Sequence, residues 1–119
     1  MLFSKDHEWV KEDQGSFLVG ITEFAVRELG DIVFIDLPPV NAEFKKGQTF
    51  SVVESTKTAS DVYAPFDMVV LEVNSEVESD PATLNKSPFD KGWLVRVSCS
   101  NKEQLNELLS EEQYRQLLK

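Results

Sequence analysis

Apolar residues along this chain recur mostly at alternate positions in short runs, the period of a strand whose two faces meet different surroundings. His7 to Lys11 and Phe17 to Thr22 have this character, and the turn-like Glu12-Asp13-Gln14-Gly15 parts them. From Thr22 to Gly30 the spacing changes. Phe24, Ala25 and Leu29 recur at helical intervals, Thr22 suits an N-cap and Gly30 suits a stop, so one or two helical turns are predicted. Asp31 to Leu37 returns to strand, with Val33 and Ile35 expected on one face and Ile32, Phe34 and Asp36 on the other. Pro38-Pro39 ends it, because proline offers no N–H to a ladder.

Lys45-Lys46-Gly47 reads as a turn, Thr49 to Glu54 as a strand, and Val62 to Val73 as one or two strands interrupted by Pro65. The polar stretch Glu76 to Gly92 predicts a loop with a short helix near Leu84, and Trp93 to Cys99 the last strand. Beyond Asn101, Leu105, Leu108, Leu109, Tyr114, Leu117 and Leu118 recur at helical spacing, and Ser110 followed by Glu111-Glu112 marks a fresh cap. Two short C-terminal helices are predicted to cover one end of the sheet. A faint echo, Val40-Asn41-Ala42-Glu43-Phe44 against Val73-Asn74-Ser75-Glu76-Val77, is what a two-fold arrangement of paired strands would leave.

Composition narrows the function classes. The 119 residues, 41% hydrophobic and 28% charged, fit one globular domain with a core of useful size. A formal net charge of −9 disfavours nucleic acid and anionic membranes as partners, since both are bound by clustered cations. No apolar run is long enough to span a bilayer. The N-terminus MLFSKDHEWV has neither a signal peptide's apolar region nor a transit peptide's Arg/Ser-rich character, so the expected setting is the cytoplasm, or a mature form after removal of a targeting segment. The single cysteine, Cys99, allows no internal disulfide and reads as a neighbour of the core; the single histidine, His7, has no triad partners nearby. No glycine-rich phosphate loop or metal-ligand spacing is present, which argues against an autonomous enzyme. No apolar surface stripe is left over once the core is assigned, so a monomer is expected.

One stretch stands apart: Glu54-Ser55-Thr56-Lys57-Thr58-Ala59-Ser60-Asp61. A hairpin is the economical link between the strands on either side and would put Lys57 at its tip, flanked by small side chains. Two readings stand. Lysine is common at hairpin tips for solubility and to discourage edge pairing, the reading that suits Lys45 and Lys46. Alternatively, an exposed lysine with no bulky neighbour is what an enzyme that acylates one lysine in a folded protein needs.

Several short motifs recur in the order and near the spacings of one family. They are His7-Glu8-Trp9-Val10, Gly20-Ile21-Thr22, Leu29-Gly30-Asp31-Ile32-Val33-Phe34, Leu37-Pro38 and the lysine stretch; then Tyr63-Ala64-Pro65, Glu72-Val73-Asn74, Pro88-Phe89 with Gly92-Trp93-Leu94, and Leu108-Leu109-Ser110-Glu111-Glu112-Gln113-Tyr114. Together they resemble the H protein family of the glycine cleavage system over nearly the whole chain. Biotin carriers, related in shape, usually flank their lysine with methionines; here the flanks are Thr56 and Thr58.

The resemblance implies a mainly β fold, a flattened barrel or sandwich hybrid of two small antiparallel sheets with short helices at the ends. It forms a single lipoyl-carrier domain over 1–119, with the C-terminal helices in 101–119. It implies lipoate in amide linkage to Lys57, with Glu54, Ser55 and Ser60 completing the motif read by a lipoylating enzyme. It also implies a carrier that catalyses no step alone and shuttles the aminomethyl group of glycine. Its partners would be a pyridoxal-phosphate decarboxylase (P-protein), an aminomethyltransferase (T-protein) and a dihydrolipoyl dehydrogenase (L-protein). Family acids that shelter the loaded arm match Glu8 and Asp61; read alone, Glu8 is equally a solvated strand charge and Asp61 a hairpin acid. Trp9 and Trp93 are expected in the core. A second functional reading keeps the fold with a different role, as a lipoyl relay to other proteins or an unmodified β-sandwich interaction module.

Overall fold

The computed structural model describes residues 1–119. Nine strands, β1 (Leu2–Phe3), β2 (Glu8–Asp13), β3 (Ser16–Ile21), β4 (Ile32–Asp36), β5 (Glu43–Phe44), β6 (Thr49–Ser55), β7 (Ala59–Tyr63), β8 (Met68–Val73) and β9 (Val95–Cys99), form two antiparallel sheets. One has six strands in the order β1-β2-β3-β9-β8-β5, and the other three in the order β4-β6-β7. Helices α1 (Glu23–Leu29), α2 (Ser75–Ser79), α3 (Thr83–Lys86) and α4 (Glu111–Leu117), with a 3-10 turn at Lys102–Glu107, occupy the connections and the C-terminus. The expected mainly β architecture of two sheets with short helices is present. The sheets remain open, packing as a sandwich rather than closing into a barrel.

The alternation read from sequence accounts for the core. Phe17, Val19 and Ile21 of β3, Met68 and Val70 of β8, and Val95 and Val97 of β9 face Ile35, Val53 and Val62 of the smaller sheet. The local signals also hold. Thr22 Oγ1 accepts the Ala25 N–H at 3.3 Å at the start of α1, and Gly30 ends the helix at φ 88°. Ser110 and Gln113 form a reciprocal capping box on α4.

Departures have identifiable causes. The strand expected at 31–37 does not alternate throughout, because a bulge interrupts its pairing with β6 between Ile32 and Phe34. Ile32 and Ile35 turn inward, while Val33 and Phe34 are both exposed, at 54% and 52%; an extra residue on one strand resets the period-two rule. The stretch 62–73 is two strands in different sheets, divided by the buried segment Ala64–Phe66. The stretch 76–92 holds the short helix expected near Leu84, α3, and a second one that was not expected, α2. The two copies of the sequence echo differ, since the first ends in β5 and the second caps α2. Trp9 is fully buried; Trp93 is partly buried and packs on the Phe3–Trp9–Tyr114 cluster. Cys99 packs against the main core, and burial pushes its thiol up.

Trp9 sets the shape of one end. It pairs across the ladder with Gly20, its indole N–H donates to the Pro88 carbonyl at 2.9 Å, and its ring lies where a side chain at position 20 would go. A Cβ there would stand 2.6 Å from the indole. Gly20→Ala is therefore expected to cost roughly 3 kcal/mol through overpacking, read as a lower urea midpoint with an unchanged m-value. A wild-type midpoint would mean that the indole does not rest on Gly20.

Candidate functional site

The hairpin β6–β7 turns through only Thr56, Lys57 and Thr58. Ser55 organises it. Its hydroxyl accepts the N–H groups of Lys57 and Thr58, each at 3.1 Å, and donates to the Thr58 carbonyl at 3.1 Å, while the Ser55 N–H donates to the same carbonyl at 2.7 Å. A side chain that meets the free backbone groups of a tight loop does what water would otherwise do, and removes much of its freedom. On the α1 side, the Thr56 N–H donates to the Asp31 carbonyl at 3.0 Å. The tip is thus held from inside and from one flank.

Lys57 is exposed, and its amine takes part in none of the protein's ion pairs. Lys45 and Lys46, by contrast, are paired with Asp67 and Glu107. The aliphatic stem of Lys57 lies over Gly30, where a Cβ would stand 3.0 Å from Cε. Gly30 (φ 88°, ψ −149°) occupies a region that side chains disfavour. The same glycine therefore stops α1 and leaves a trough for the lysine.

Glu54, Ser60 and Asp61 flank the tip on the paired strands. Glu54 lies opposite Phe34 on one side and Ala59 on the other, and Asp61 lies opposite Val52. Asp61 is exposed and free of ion pairs; the Ser60 hydroxyl makes only a long 3.4 Å contact to the Asp61 carbonyl. Glu8 is not the solvated strand charge that sequence allowed, being only 2% exposed. It belongs to the other sheet, yet its Oε2 accepts the Tyr63 N–H of β7 at 3.3 Å and its Oε1 accepts the Ser4 hydroxyl at 2.5 Å. One strand, β7, thus runs from the lysine tip past Asp61 to Glu8. Beside Glu8 lies a cavity of about 270 Å³, with Ser4, Asp6, Lys46, Ala64, Pro65 and Leu108 in its wall.

Burial pushes the Glu8 carboxyl up from the ordinary 4.5 to about 7; hydrogen bonds from Ser4 and Tyr63 offset part of the rise, and Asp6 adds to it. Sequence reasoning missed Ser4 and the Tyr63 amide as partners of Glu8, and Gly30 as the bed of the lysine stem. A serine four residues before the acid was the one local sign. The tip, the stem trough and the groove acids make no catalytic dyad and no metal cluster. No helix is long and apolar enough to cross a membrane.

A small sandwich that presents an exposed lysine at the tip of a pinned hairpin has the form of a carrier domain. Comparison with known proteins gives the particular kind. The Glycine cleavage H-protein family model matches residues 1–119. The chain is 50% identical to the glycine cleavage system H protein of Staphylococcus saprophyticus over 116 residues, covering 98% of this chain and 92% of that one. It is 51% identical to that of Carboxydothermus hydrogenoformans over 116 residues, covering 98% and 89%. A crystal structure of the H protein from Mycobacterium marinum superposes with a TM-score of 0.88 at 38% identity, covering 97% of this chain and 93% of that one. The chain belongs to the glycine cleavage H-protein family, the non-catalytic lipoyl carriers of the glycine cleavage system.

The Glu8 assignment has a measurable sign. The native state binds a proton on Glu8 up to about pH 7, whereas the unfolded chain releases it near 4.5. This group's contribution therefore favours the fold below 4.5 and is lost as pH rises to about 7, a change on the order of 3 kcal/mol. In urea titrations across that window, Glu8→Gln should gain stability relative to wild type by about that amount, with a constant difference above pH 7. Parallel curves would place the Glu8 pKa in the ordinary range.

Proposed function

We propose that Lys57 carries lipoate through an amide bond and presents it in turn to the decarboxylase, aminomethyltransferase and dihydrolipoyl dehydrogenase of the glycine cleavage system. The observation that carries this reading is the unpaired Lys57 amine on a tip fixed by Ser55, with its stem over a glycine. A trough that any Cβ would narrow suits a long, thin substituent. The bacterial relatives support a bacterial cytoplasmic setting over a mitochondrial one.

In this reading the residues divide the work. The Lys57 ammonium first loses a proton; the neutral amine then attacks an activated lipoyl carboxyl supplied by the attaching enzyme, the activating group leaves, and a second proton departs as the uncharged amide forms. Thr56 and Thr58 leave that approach unobstructed, and Ser55 holds the backbone so that one lysine geometry is offered. Glu54 and Ser60 serve recognition on the two strands. Once attached, lipoate supplies a disulfide that is reduced and re-formed as the one-carbon unit is carried. Stem and arm together reach on the order of 10–15 Å. Asp61, the third residue of β7, is the first acid along that strand from the tip. Glu8, on β2, meets the far end of β7 at Tyr63. The field of an arriving ammonium group would favour the ionised form of Glu8, its proton passing to water, whereas neutral cargo would leave the carboxyl protonated. The carrier works as a monomer, meeting its partners one at a time.

Expression with lipoate and a lipoate-attaching enzyme should give one lipoyl mass addition, on the peptide containing Lys57, and none in Lys57→Arg. The loaded protein should support glycine decarboxylation by the decarboxylase, and Lys57→Arg should not. Modification at another lysine, or activity retained by Lys57→Arg, would overturn the assignment.

A further inference from the structure

The junction between α1 and β4, Gly30 and Asp31 with the first residue of the strand, has an unusual accounting problem. The Gly30 N–H still closes α1 onto the Val26 carbonyl, but the Gly30 and Asp31 carbonyls and the Ile32 N–H lack the regular pairing that either element would give. Asn85, an exposed residue of the four-residue helix α3, supplies part of it. Its Oδ1 accepts the Ile32 N–H at 3.0 Å and its Nδ2 donates to the Gly30 carbonyl at 2.9 Å. The Asp31 carbonyl, between those two contacts, is the one that accepts the Thr56 N–H of the lysine tip. Gly30 is also the residue on which the Lys57 stem lies. A single amide side chain thus spans both ends of the segment that anchors the tip and beds the stem.

We propose that Asn85 is a positioning residue for Lys57, acting through the 30–32 segment on the geometry in which the lysine is offered for modification. The functional part of this proposal rests on the reading of Lys57 as the attachment site. Geometry favours asparagine over its nearest relatives. Aspartate keeps the acceptor for Ile32 but sets a carboxylate against the Gly30 carbonyl, and alanine removes both bonds. The longer glutamine would have to fold back to reach the same two atoms. Nothing else in the structure bonds to the Asn85 side chain, so its two contacts have no second role in the core.

The test compares Asn85→Ala with Arg96→Ala. Arg96 ties β9 to Asp13, Ser16 and Glu72 and does not bond to the lysine hairpin, so its loss weakens the fold elsewhere. Hydrogen exchange is read at the Thr56 and Val53 amides, and kcat/KM for lipoate attachment at Lys57. Asn85→Ala should speed exchange at Thr56 by roughly tenfold with Val53 unchanged, and should lower kcat/KM by a similar factor. Asn85→Asp should fall between it and wild type, and Arg96→Ala should change neither quantity at the hairpin. Wild-type exchange and attachment in Asn85→Ala would overturn the proposal, as would equal losses in Asn85→Ala and Arg96→Ala. If wild type itself takes no lipoate, the carrier reading fails, while exchange at Thr56 still decides whether Asn85 fixes the tip.

Discussion

A three-stranded sheet has one face to bury and one to leave in water, and that constraint organises this molecule. Ile35, Val53 and Val62 sink into the larger sheet. The opposite face keeps Phe34, Glu54, Asp36 and Asp61 in or near solvent. The hairpin at the end of this sheet projects beyond the core, so its tip cannot be ordered by apolar packing. Polar contacts do that work instead: Ser55 from within and the Asp31 carbonyl from the side. A tip ordered by hydrogen bonds keeps its lysine free of neighbours, which a tip ordered by packing could not.

Features whose cause is local were legible in the sequence. Thr22 caps, Gly30 stops, Pro38-Pro39 interrupts and Ser110 restarts because each acts through its own backbone neighbours. The lysine hairpin was legible for the same reason. Features that depend on distant residues were not. The bulge after Ile32 comes from pairing with β6, and the division of 62–73 between two sheets comes from how the buried Ala64–Phe66 turn packs. The burial of Glu8 needed Ser4 and a strand from the opposite sheet. Asn85 carried no signal at all, since an asparagine in a polar, proline-flanked stretch is what any loop contains.

Glu8 and Asp61 show how one β-strand can serve two electrostatic environments. Asp61 lies on the outer face, exposed to water. Glu8, pressed against the Tyr63 end of the same strand, has lost enough hydration to sit near its titration point at neutral pH. The protein gains that difference by placing equivalent groups at unequal depth along a single path, with no change of residue chemistry.

The bulge in β4 has a consequence for behaviour at high concentration. It leaves Val33 and Phe34 in water on an edge strand, an invitation to another chain's strand. The same irregularity spoils that invitation. A five-residue edge, broken in register, bounded by Asp31 and Asp36 and followed by two prolines, offers no straight row of amides for a second copy to zip onto. The device that exposes the apolar pair also keeps the protein from becoming the seed of a cross-β stack.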